Sequence, residues 1–256
     1  MTAYDRLLAA RAKGRPTASA FIKGIFSDFF ELHGDRCFSD DKAVMAGLAY
    51  LNGLPVTVIG LEKGTDTKDK IKRNFGSAHP EGYRKALRLM RQAEKFNRPV
   101  VCIVDTAGAF CGIGAEERGQ GLAIATNMME MMTLKTPIIS IIISEGGSGG
   151  AIALAVADEV WMLENAVYSV ISPEGAASII WKDAAKVKEA SENLKMTAQD
   201  LFDLGIIERV FEEPKDFASL YNVIRDAMIK ALNEKISMNR DELISKRYNR
   251  FRRFGG

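Results

Sequence analysis

A cluster of glycines contains the residues of this chain best suited to chemistry. Residues 146–150 have the sequence Gly-Gly-Ser-Gly-Gly, between an apolar β-branched run at 138–143 and a small-residue segment at 151–157. This pattern predicts a buried strand, a sharp turn and a helix. The first N–H groups of a helix lack intrahelical partners, so such a corner can bind an anion or stabilise a developing oxyanion. A tight turn with close packing is the alternative interpretation.

A second corner of the same kind precedes it. Residues 105–114 have the sequence Asp-Thr-Ala-Gly-Ala-Phe-Cys-Gly-Ile-Gly and follow a short apolar strand pattern at 99–104. The two corners therefore end successive strands of the parallel type.

The usual side-chain catalysts are missing from the sequence. His33 and His79 are far apart and belong to no motif, and Cys37, Cys102 and Cys111 lack metal-ligand spacing. We expect no metal site, and we expect the three thiols to be reduced. G-x-S-x-G, H-E-x-x-H, C-x-x-C and Walker A motifs do not occur, and a dinucleotide-binding glycine fingerprint is weak. What remains is backbone N–H chemistry, which suits reactions that pass through enolate-like oxyanions.

Two basic segments are candidate anion sites. The polar segment 63–76 could meet phosphate groups, although Asp66 and Asp69 offset its charge and a solvated loop is the simpler interpretation. Its candidate cations are Lys68, Lys70, Lys72 and Arg73. The arginine-rich stretch 246–253 could bind nucleic acid, but it is short, so we expect a solvated or subunit-docking helix.

The flanking elements follow from hydrophobic periodicity. Asn52-Gly53 predicts a hairpin between strands at 44–51 and 55–61. Further strands are expected at 159–163, 166–171 and 206–211. Helices are expected at 17–32, from Pro80, from a first turn that contains Glu116 and Glu117, at 173–181, at 182–205, from Asp216 and from Arg240. The helix that begins with Glu116 and Glu117 is expected to bury Leu122, Ala125, Met129 and Met132.

Length and composition fit one globular unit. The 256 residues are 47% hydrophobic and 27% charged, with a net charge of +2. This charge argues against nucleic acid as the main partner. We expect an N-terminal arm at 1–20 and a single domain at 21–256. With neither an apolar leader nor a membrane-length apolar span, we expect a cytoplasmic protein.

Several motifs closely resemble those of the carboxyltransferase α subunits of bacterial acetyl-CoA carboxylase, in the same order over roughly residues 20–255. They include the two corners, extended to residues 105–120 and 144–151, and Tyr-Ser-Val-Ile-Ser-Pro-Glu-Gly at 168–175. Shorter matches lie at 34–36, 72–76 and 80–86. The chain departs from the family where Ala107 replaces a frequent proline and where Phe110-Cys111 replaces tyrosine-proline. It also lacks the N-terminal extension of longer members.

The resemblance implies a crotonase-like α/β fold of stacked β-β-α units with additional terminal helices. It implies transfer of a carboxyl group from carboxybiotin, held on a separate biotin carboxyl carrier protein, to acetyl-CoA. The product would be malonyl-CoA, in the first committed step of fatty acid biosynthesis. The expected partners are a zinc-ribbon β subunit, in an α2β2 heterotetramer, and biotin carboxylase, with ATP bound only at the level of the whole complex.

The resemblance also assigns roles to the corners. The N–H groups of Gly149, Gly150 and Ala151 are expected to receive the negative charge on the biotin ureido oxygen. That anion could then take the methyl proton of acetyl-CoA, so no side-chain base is needed. One such donor typically contributes ~3 kcal/mol to the transition state. We expect Gly150→Val to abolish transfer without unfolding the chain.

The remaining family-based assignments concern the surroundings of the corner. Gly146 and Gly147 are expected to shape the turn, and Gly108 and Gly112 to line the same cleft. Lys68, Lys70, Lys72 and Arg73 become candidates for CoA phosphates or for the partner subunit.

A second enzymatic hypothesis stays open from the sequence. A self-contained crotonase-type enoyl-CoA hydratase or isomerase would need a positioned glutamate, for which Glu145 and Glu174 are candidates.

Overall fold

A mixed eight-stranded sheet is the centre of the molecule, in a computed structural model that describes residues 1–254. The last two residues of the predicted domain therefore lie outside the described residues. The strands are Ser27–Glu31 (β1), Val44–Leu51 (β2), Leu54–Leu61 (β3), Val100–Thr106 (β4), Ile138–Gly147 (β5), Glu159–Leu163 (β6), Val167–Ser169 (β7) and Arg209–Phe211 (β8).

The strand order is β1-β2-β3-β4-β5-β6-β8, and β7 pairs with the end of β5. Strands β1 to β3 are antiparallel, and every pairing from β3 onward is parallel. The hairpin prediction is confirmed, because β2 and β3 pair throughout and the turn residues Asn52 and Gly53 have φ of 50° and 83°.

Twelve helices surround this sheet within the described part of the chain. They are Ala3–Ala10 (α1), Ala18–Ile25 (α2), Thr67–Lys72 (α3), Pro80–Lys95 (α4), Ile113–Glu117 (α5), Gln120–Thr133 (α6), Ser148–Ile152 (α7), Pro173–Ala176 (α8), Val187–Asn193 (α9), Ala198–Asp203 (α10), Phe217–Ile236 (α11) and Arg240–Arg252 (α12). No helix of residues 1–254 is long and apolar enough to cross a membrane.

The helix predicted at 17–32 is wrong in its second half. Helix α2 ends at Ile25, and residues 27–31 form the edge strand β1. Strand β1 pairs with β2 through an irregular register, and Gly47 makes this possible because a Cβ there would lie 2.2 Å from the Phe30 carbonyl oxygen. Helical spacing of the aromatic residues could not reveal this distant strand partner.

Two other predicted segments are divided differently in the structure. Residues 182–205 contain α9 and α10 rather than one helix, because Lys195 has a left-handed φ of 49° and Thr197 forms a capping box for α10. The segment 63–76, expected as a loop, contains α3, which Asp66 caps through a bond from the Asp69 N–H.

Most of the α6 face predicted to be buried faces outward, although Met132 packs against the core. Leu122 and Met129 are 74% and 72% exposed, whereas Asn127 and Met131 are fully buried. Hydrophobic periodicity predicts that the most apolar stripe of the helix packs into the core. The structure instead turns Gln120, Ala123, Asn127 and Met131 inward, because this side of α6 packs against α4 and α7.

Both terminal helices are built into the fold. Leu7 of α1 is buried against Val167 and Met196. The expectation that α12 presents a solvated basic surface is wrong for Arg247 and Arg250, which are 1% and 5% exposed. Each forms a salt bridge inside the protein, and this also weakens the nucleic-acid hypothesis.

Candidate active site

The corner at 146–150 joins β5 to α7. Gly146 and Gly147, predicted to shape a turn, are instead the last residues of β5, with Gly146 paired to Tyr168 on one side and to Thr106 on the other. Helix α7 begins at Ser148 and ends at Ile152, so it starts and ends earlier than the helix expected at 151–157.

Glycine is required here because the two corners touch. A Cβ on Gly147 would lie 2.0 Å from the Ala107 carbonyl oxygen, and one on Gly150 would lie 2.6 Å from the Ala109 backbone nitrogen. Both clashes are with backbone, which cannot rotate away. The expectation that Gly150→Val leaves the fold intact is therefore wrong.

Gly149 is placed differently from Gly150. A Cβ there would make ordinary contacts of 3.5 and 3.6 Å with the Ile124 side chain. A small side chain at this position is therefore sterically compatible with the fold.

Some backbone N–H groups have no hydrogen-bond acceptor among the described residues where the two corners meet. Within residues 1–254, the backbone N–H groups of Gly149, Gly150 and Ala109 donate to no protein acceptor. Gly149 and Gly150 lie in the first turn of α7, where no preceding carbonyl is available. Unused amide dipoles at such a position are suited to an oxygen that gains negative charge.

Ser148, at the start of α7, has a strained backbone. Its φ is 49°, the left-handed region that non-glycine residues rarely adopt, and its side chain is exposed. Such strain is commonly found at functional sites. No sequence pattern marks this strain at Ser148.

Tyr83 also belongs to the corner, although its helical position alone predicts only a core residue. Its fully buried hydroxyl has no partner within the described residues and would lie 3.1 Å from a Cβ on Gly150. Burial, with the nearby Asp41, raises the pKa of this phenol, so the hydroxyl keeps its proton and remains a donor.

An ion network lies behind the glycines. The Lys63 ammonium is 2.7 Å from Asp105 and 3.2 Å from Glu145, at the ends of β4 and β5. Burial opposes the charge on Lys63, but the two carboxylates outweigh it and raise its pKa. The network therefore ties together the two strands that carry the corners.

Arg11 completes the network from the N-terminal segment. Its guanidinium binds Glu145 at 2.8 Å and Glu174 at 2.6 Å. Glu145 is therefore held by two cations, and the bond from Arg11 lowers the pKa of Glu174. Carboxylates bound in this way are poorly suited to the proton transfers of a hydratase.

A cavity of about 350 Å³ opens beside Gly149. Its walls are mainly apolar and include Ile152, Tyr168, Phe251 and Phe254. Burial raises the pKa of Tyr168 to about 12. Gly149, which carries one of the free N–H groups, thus lies next to a space that a small organic ring could enter.

The other predicted site residues are only partly brought together. Gly108 adjoins Gly147 and Gly150. Gly112 starts α5 and has the ring of Phe110 as its nearest neighbour, and that ring stacks on His79 with centroids 4.0 Å apart. Gly112 thus shapes α5 rather than the contact between the corners.

The candidate phosphate-binding cations lie on α3 and at Arg73, directly before a segment that contacts the end of β4. Segment 74–76, which follows α3, approaches β4 so closely that a Cβ on Gly76 would lie 2.7 Å from the Asp105 carbonyl oxygen. Lys68 and Lys72 are exposed, whereas Arg73 is bound to Asp69 and to the Lys42 carbonyl oxygen.

Solved structures define the class of fold. A 12S transcarboxylase with methylmalonyl-CoA bound matches 86% of this chain and 42% of its own, with a TM-score of 0.70 and 20% identity. A Pseudomonas malonate decarboxylase hetero-tetramer in complex with coenzyme A matches 83% of this chain and 88% of its own, with a TM-score of 0.68 and 17% identity. The predicted crotonase-like fold is confirmed.

Sequence relatives define the family. Residues 1–255 match the family described as acetyl co-enzyme A carboxylase carboxyltransferase-like, and the chain belongs to it. It is 60% identical, over its whole length and 98% of the relative, to the acetyl-coenzyme A carboxylase carboxyl transferase subunit alpha of Ruminiclostridium cellulolyticum. It is 56% identical to the fused beta/alpha subunits of Natranaerobius thermophilus, of which it spans 43%. These relatives support the carboxyltransferase hypothesis and not the hydratase.

Proposed function

We propose that this chain is the α half of a carboxyltransferase that moves a carboxyl group from carboxybiotin to acetyl-CoA, giving malonyl-CoA for fatty acid synthesis. The observation that carries the proposal is the corner itself. Two glycine-rich turns meet at backbone distance and leave the N–H groups of Gly149, Gly150 and Ala109 without protein acceptors. The reaction itself is inferred from similarity to carboxyltransferase α subunits over the full length of the chain.

The donor set fits the biotin ring. A ureido oxygen is a hydrogen-bond acceptor, the free groups are donors, and the cavity beside Gly149 has apolar walls. Carboxybiotin, when bound, supplies the activated carboxyl group. The chain's part is to hold Gly149 and Gly150 with their N–H dipoles already oriented towards that oxygen, which lowers the reorganisation cost. Gly146 and Gly147 would let the strand end reach it, and Ala151 would follow within the same turn.

The ion network keeps the donors in position. Lys63 binds Asp105 before one corner and Glu145 before the other. Because carboxylates near the ends of both strands bind the same ammonium group, the relative position of the strands is fixed without a side chain entering the cavity. Lys63 is in this proposal a positioning residue, and it makes no contact with substrate.

The acyl-CoA substrate would approach from the neighbouring basic segment. Lys68, Lys70 and Lys72 lie on α3 and Arg73 follows it, directly before the segment 74–76 that contacts the end of β4. Two of them, Lys68 and Lys72, are exposed and have no carboxylate within 4 Å among the described residues. We assign to this segment contacts with CoA phosphates or with the partner subunit.

A β subunit would complete the site. Relatives in which β and α are one chain support this partner. An exposed apolar stripe on α5 and α6 supports a subunit contact close to the corner, since Ile113, Leu122 and Met129 are all more than 70% exposed. We propose an α2β2 assembly that receives biotin on its carrier protein after biotin carboxylase has loaded it, in the cytoplasm.

The experiment has two steps. Carboxyl transfer from carboxybiotin to acetyl-CoA is measured with the chain alone and after addition of the β subunit. We expect turnover only in the mixture. Full turnover by the chain alone would contradict the proposal that this chain holds only half of the active site.

The second step removes one donor. Replacing the Gly149 amide by an ester, through incorporation of glycolic acid, deletes the N–H without adding a side chain. We expect kcat to fall by about 10²–10³. The same replacement at Gly121 is the matched control, because that amide also lies in the first turn of its helix and is far from the corner in the chain. Equal effects at the two positions would contradict the assignment.

A further inference from the structure

An arginine-lined cleft lies between α4 and α6 and is separate from the glycine corner. Its volume is about 570 Å³, within the range of small-molecule sites. Five arginines line it: Arg36, Arg84, Arg88, Arg91 and Arg118. Such a concentration of guanidinium groups in one cleft needs an explanation in terms of charge.

Three of the five arginines have carboxylate partners. Arg84 binds Asp35 at 2.8 Å. Arg118 binds Glu81 at 3.0 Å, and Arg91 binds Glu130 at 2.8 Å. These pairs neutralise their part of the cleft.

Arg36 and Arg88 are left over. Neither has a carboxylate within 4 Å among residues 1–254, and both donate to the same acceptor, the His33 carbonyl oxygen, at 2.8 and 3.3 Å. Burial and then the charge of Arg36 lower the pKa of Arg88. Two like charges thus meet at the cleft with several N–H donors unused.

The loop that carries Arg36 is held firmly in this arrangement. One carboxylate oxygen of Asp35 accepts the N–H groups of Cys37, Phe38 and Ser39. Arg36 itself has a left-handed φ of 65°, a conformation that costs free energy in a non-glycine residue. The conformation keeps the two guanidinium groups converging on the cleft.

We propose that this cleft binds the phosphate groups of a nucleotide-type ligand, with Arg36 and Arg88 as its anion-binding pair. Planar guanidinium forks bind phosphate oxygens in a bidentate manner and match a dianion better than a single ammonium does. The volume accommodates more than an inorganic ion, and the wall also contains Asn127, a fully buried amide whose oxygen has no partner among the described residues.

The cleft has a direct contact with the helix of the corner. The Asn127 amide donates to the carbonyl oxygen of Ala153, the residue that follows α7, at 3.4 Å. A ligand that orders α6 from the cleft side would therefore act on the element that holds Gly149. Binding itself does not depend on the proposed carboxyl transfer.

The test is binding measured by titration calorimetry on the full chain, alone and with its β partner. The probes are ADP, adenosine 3′,5′-bisphosphate, CoA, pyrophosphate and pantetheine. We expect at least one phosphate-bearing probe to bind and pantetheine not to bind. If none of the phosphate compounds binds at low salt, where charge-driven binding is strongest, the proposal is overturned.

Substitution then locates the site. We expect Arg36→Met and Arg88→Met each to weaken binding at least tenfold, and Arg88→Lys to restore it only in part because the fork is lost. Arg252→Met, which removes an exposed arginine from α12, is the matched control. Circular dichroism checks that each variant is folded, and undiminished affinity in a folded Arg36→Met protein contradicts the assignment.

The source of the phosphate is decided by the pattern of probes. If the ligand is the nucleotide end of CoA, CoA and the 3′,5′-bisphosphate bind alike, and Arg36→Met raises KM for acetyl-CoA. If it is a free nucleotide, ADP binds more tightly than CoA, and the variant keeps the KM but loses any response of turnover to ADP. Because binding is measured directly, failure of the carboxyltransferase proposal leaves this result interpretable.

Discussion

The Lys63 ammonium lies 2.7 Å from the Asp105 carboxylate, and the Asp105 side chain is 4% exposed. One residue comes from the loop after β3 and the other from β4. Their contact holds the end of the strand that carries the first glycine corner, and Glu145 at the second corner shares the same ammonium. The geometry of the candidate active site thus depends on a side chain that does not enter it.

Lys63→Met should destabilise the protein strongly. It leaves two buried carboxylates without their shared cation, and the loss of one partner of a buried pair typically costs about 3–5 kcal/mol. Urea unfolding measures the change in the free energy of unfolding. The control is Lys23→Met, which removes an exposed lysine from α2. Similar stabilities for the two variants would contradict the role of the network.

Adjacent glycines should respond differently to the same substitution. Gly150→Ala places a Cβ 2.6 Å from the Ala109 nitrogen and should destabilise the fold by about 1–3 kcal/mol, whereas Gly149→Ala only contacts Ile124. Thermal unfolding of both variants measures this difference. If Gly150→Ala is as stable as wild type, the two corners are not in backbone contact.

Acid should weaken the fold through Asp40. Burial opposes its ionisation, but a 2.6 Å bond from Lys85 outweighs it and lowers its pKa from 3.8 to about 2. A carboxyl with a lowered folded-state pKa stabilises the fold above its ordinary pKa and loses that contribution as the pH falls. We expect the free energy of unfolding to decrease between about pH 4 and pH 2.

The Asp40 contribution is isolated by substitution. In Asp40→Asn the decrease should be smaller, because the titrating group is gone, and stability at neutral pH should be lower, because Lys85 stays buried without its partner. Asp226→Asn, on an exposed position of α11, serves as the control. Urea titrations at pH 4, 3 and 2 give the dependence of the free energy of unfolding on pH. If this dependence is unchanged in Asp40→Asn, the acid sensitivity does not come from Asp40.

Arg247 should matter far more than its neighbours on α12. Its guanidinium is fully buried, binds Asp158 at 2.8 Å and donates to three carbonyl oxygens, of Met131, Leu134 and Thr136. Arg247→Met should cost about 3–5 kcal/mol of unfolding free energy. Arg252→Met on the same helix should change it by less than about 0.5 kcal/mol. Equal stabilities would show that α12 is not anchored through this residue.

The exposed cations of α3 should affect substrate or partner binding and not stability. In the double variant Lys68→Ala with Lys72→Ala, loss of two exposed charge contacts should raise KM for acetyl-CoA about fivefold to tenfold. A weaker affinity for the β subunit at constant KM would assign the segment to the partner. The pair Lys23→Ala with Lys230→Ala removes the same charge from α2 and α11. If the two double variants behave alike, α3 has neither role.

The sequence alone determined the local features with a strong pattern. The hairpin at Asn52-Gly53, the buried parallel strands and the two glycine corners follow from φ preferences and apolar runs, which act over a few residues. Family motifs around the corners were sufficient to name the reaction class, because the chemistry uses backbone groups whose position depends on glycine.

Only the tertiary structure decided which distant residues meet. Lys63, Arg11 and Tyr83 have no local pattern that marks them, and they reach the corners because the end of β3, the end of α1 and helix α4 pack there. The same holds for α6, whose most apolar stripe faces outward, and for Arg247, which is buried against Asp158. Burial and ion pairing depend on what packs against each element, and sequence periodicity reports only that an element has two faces.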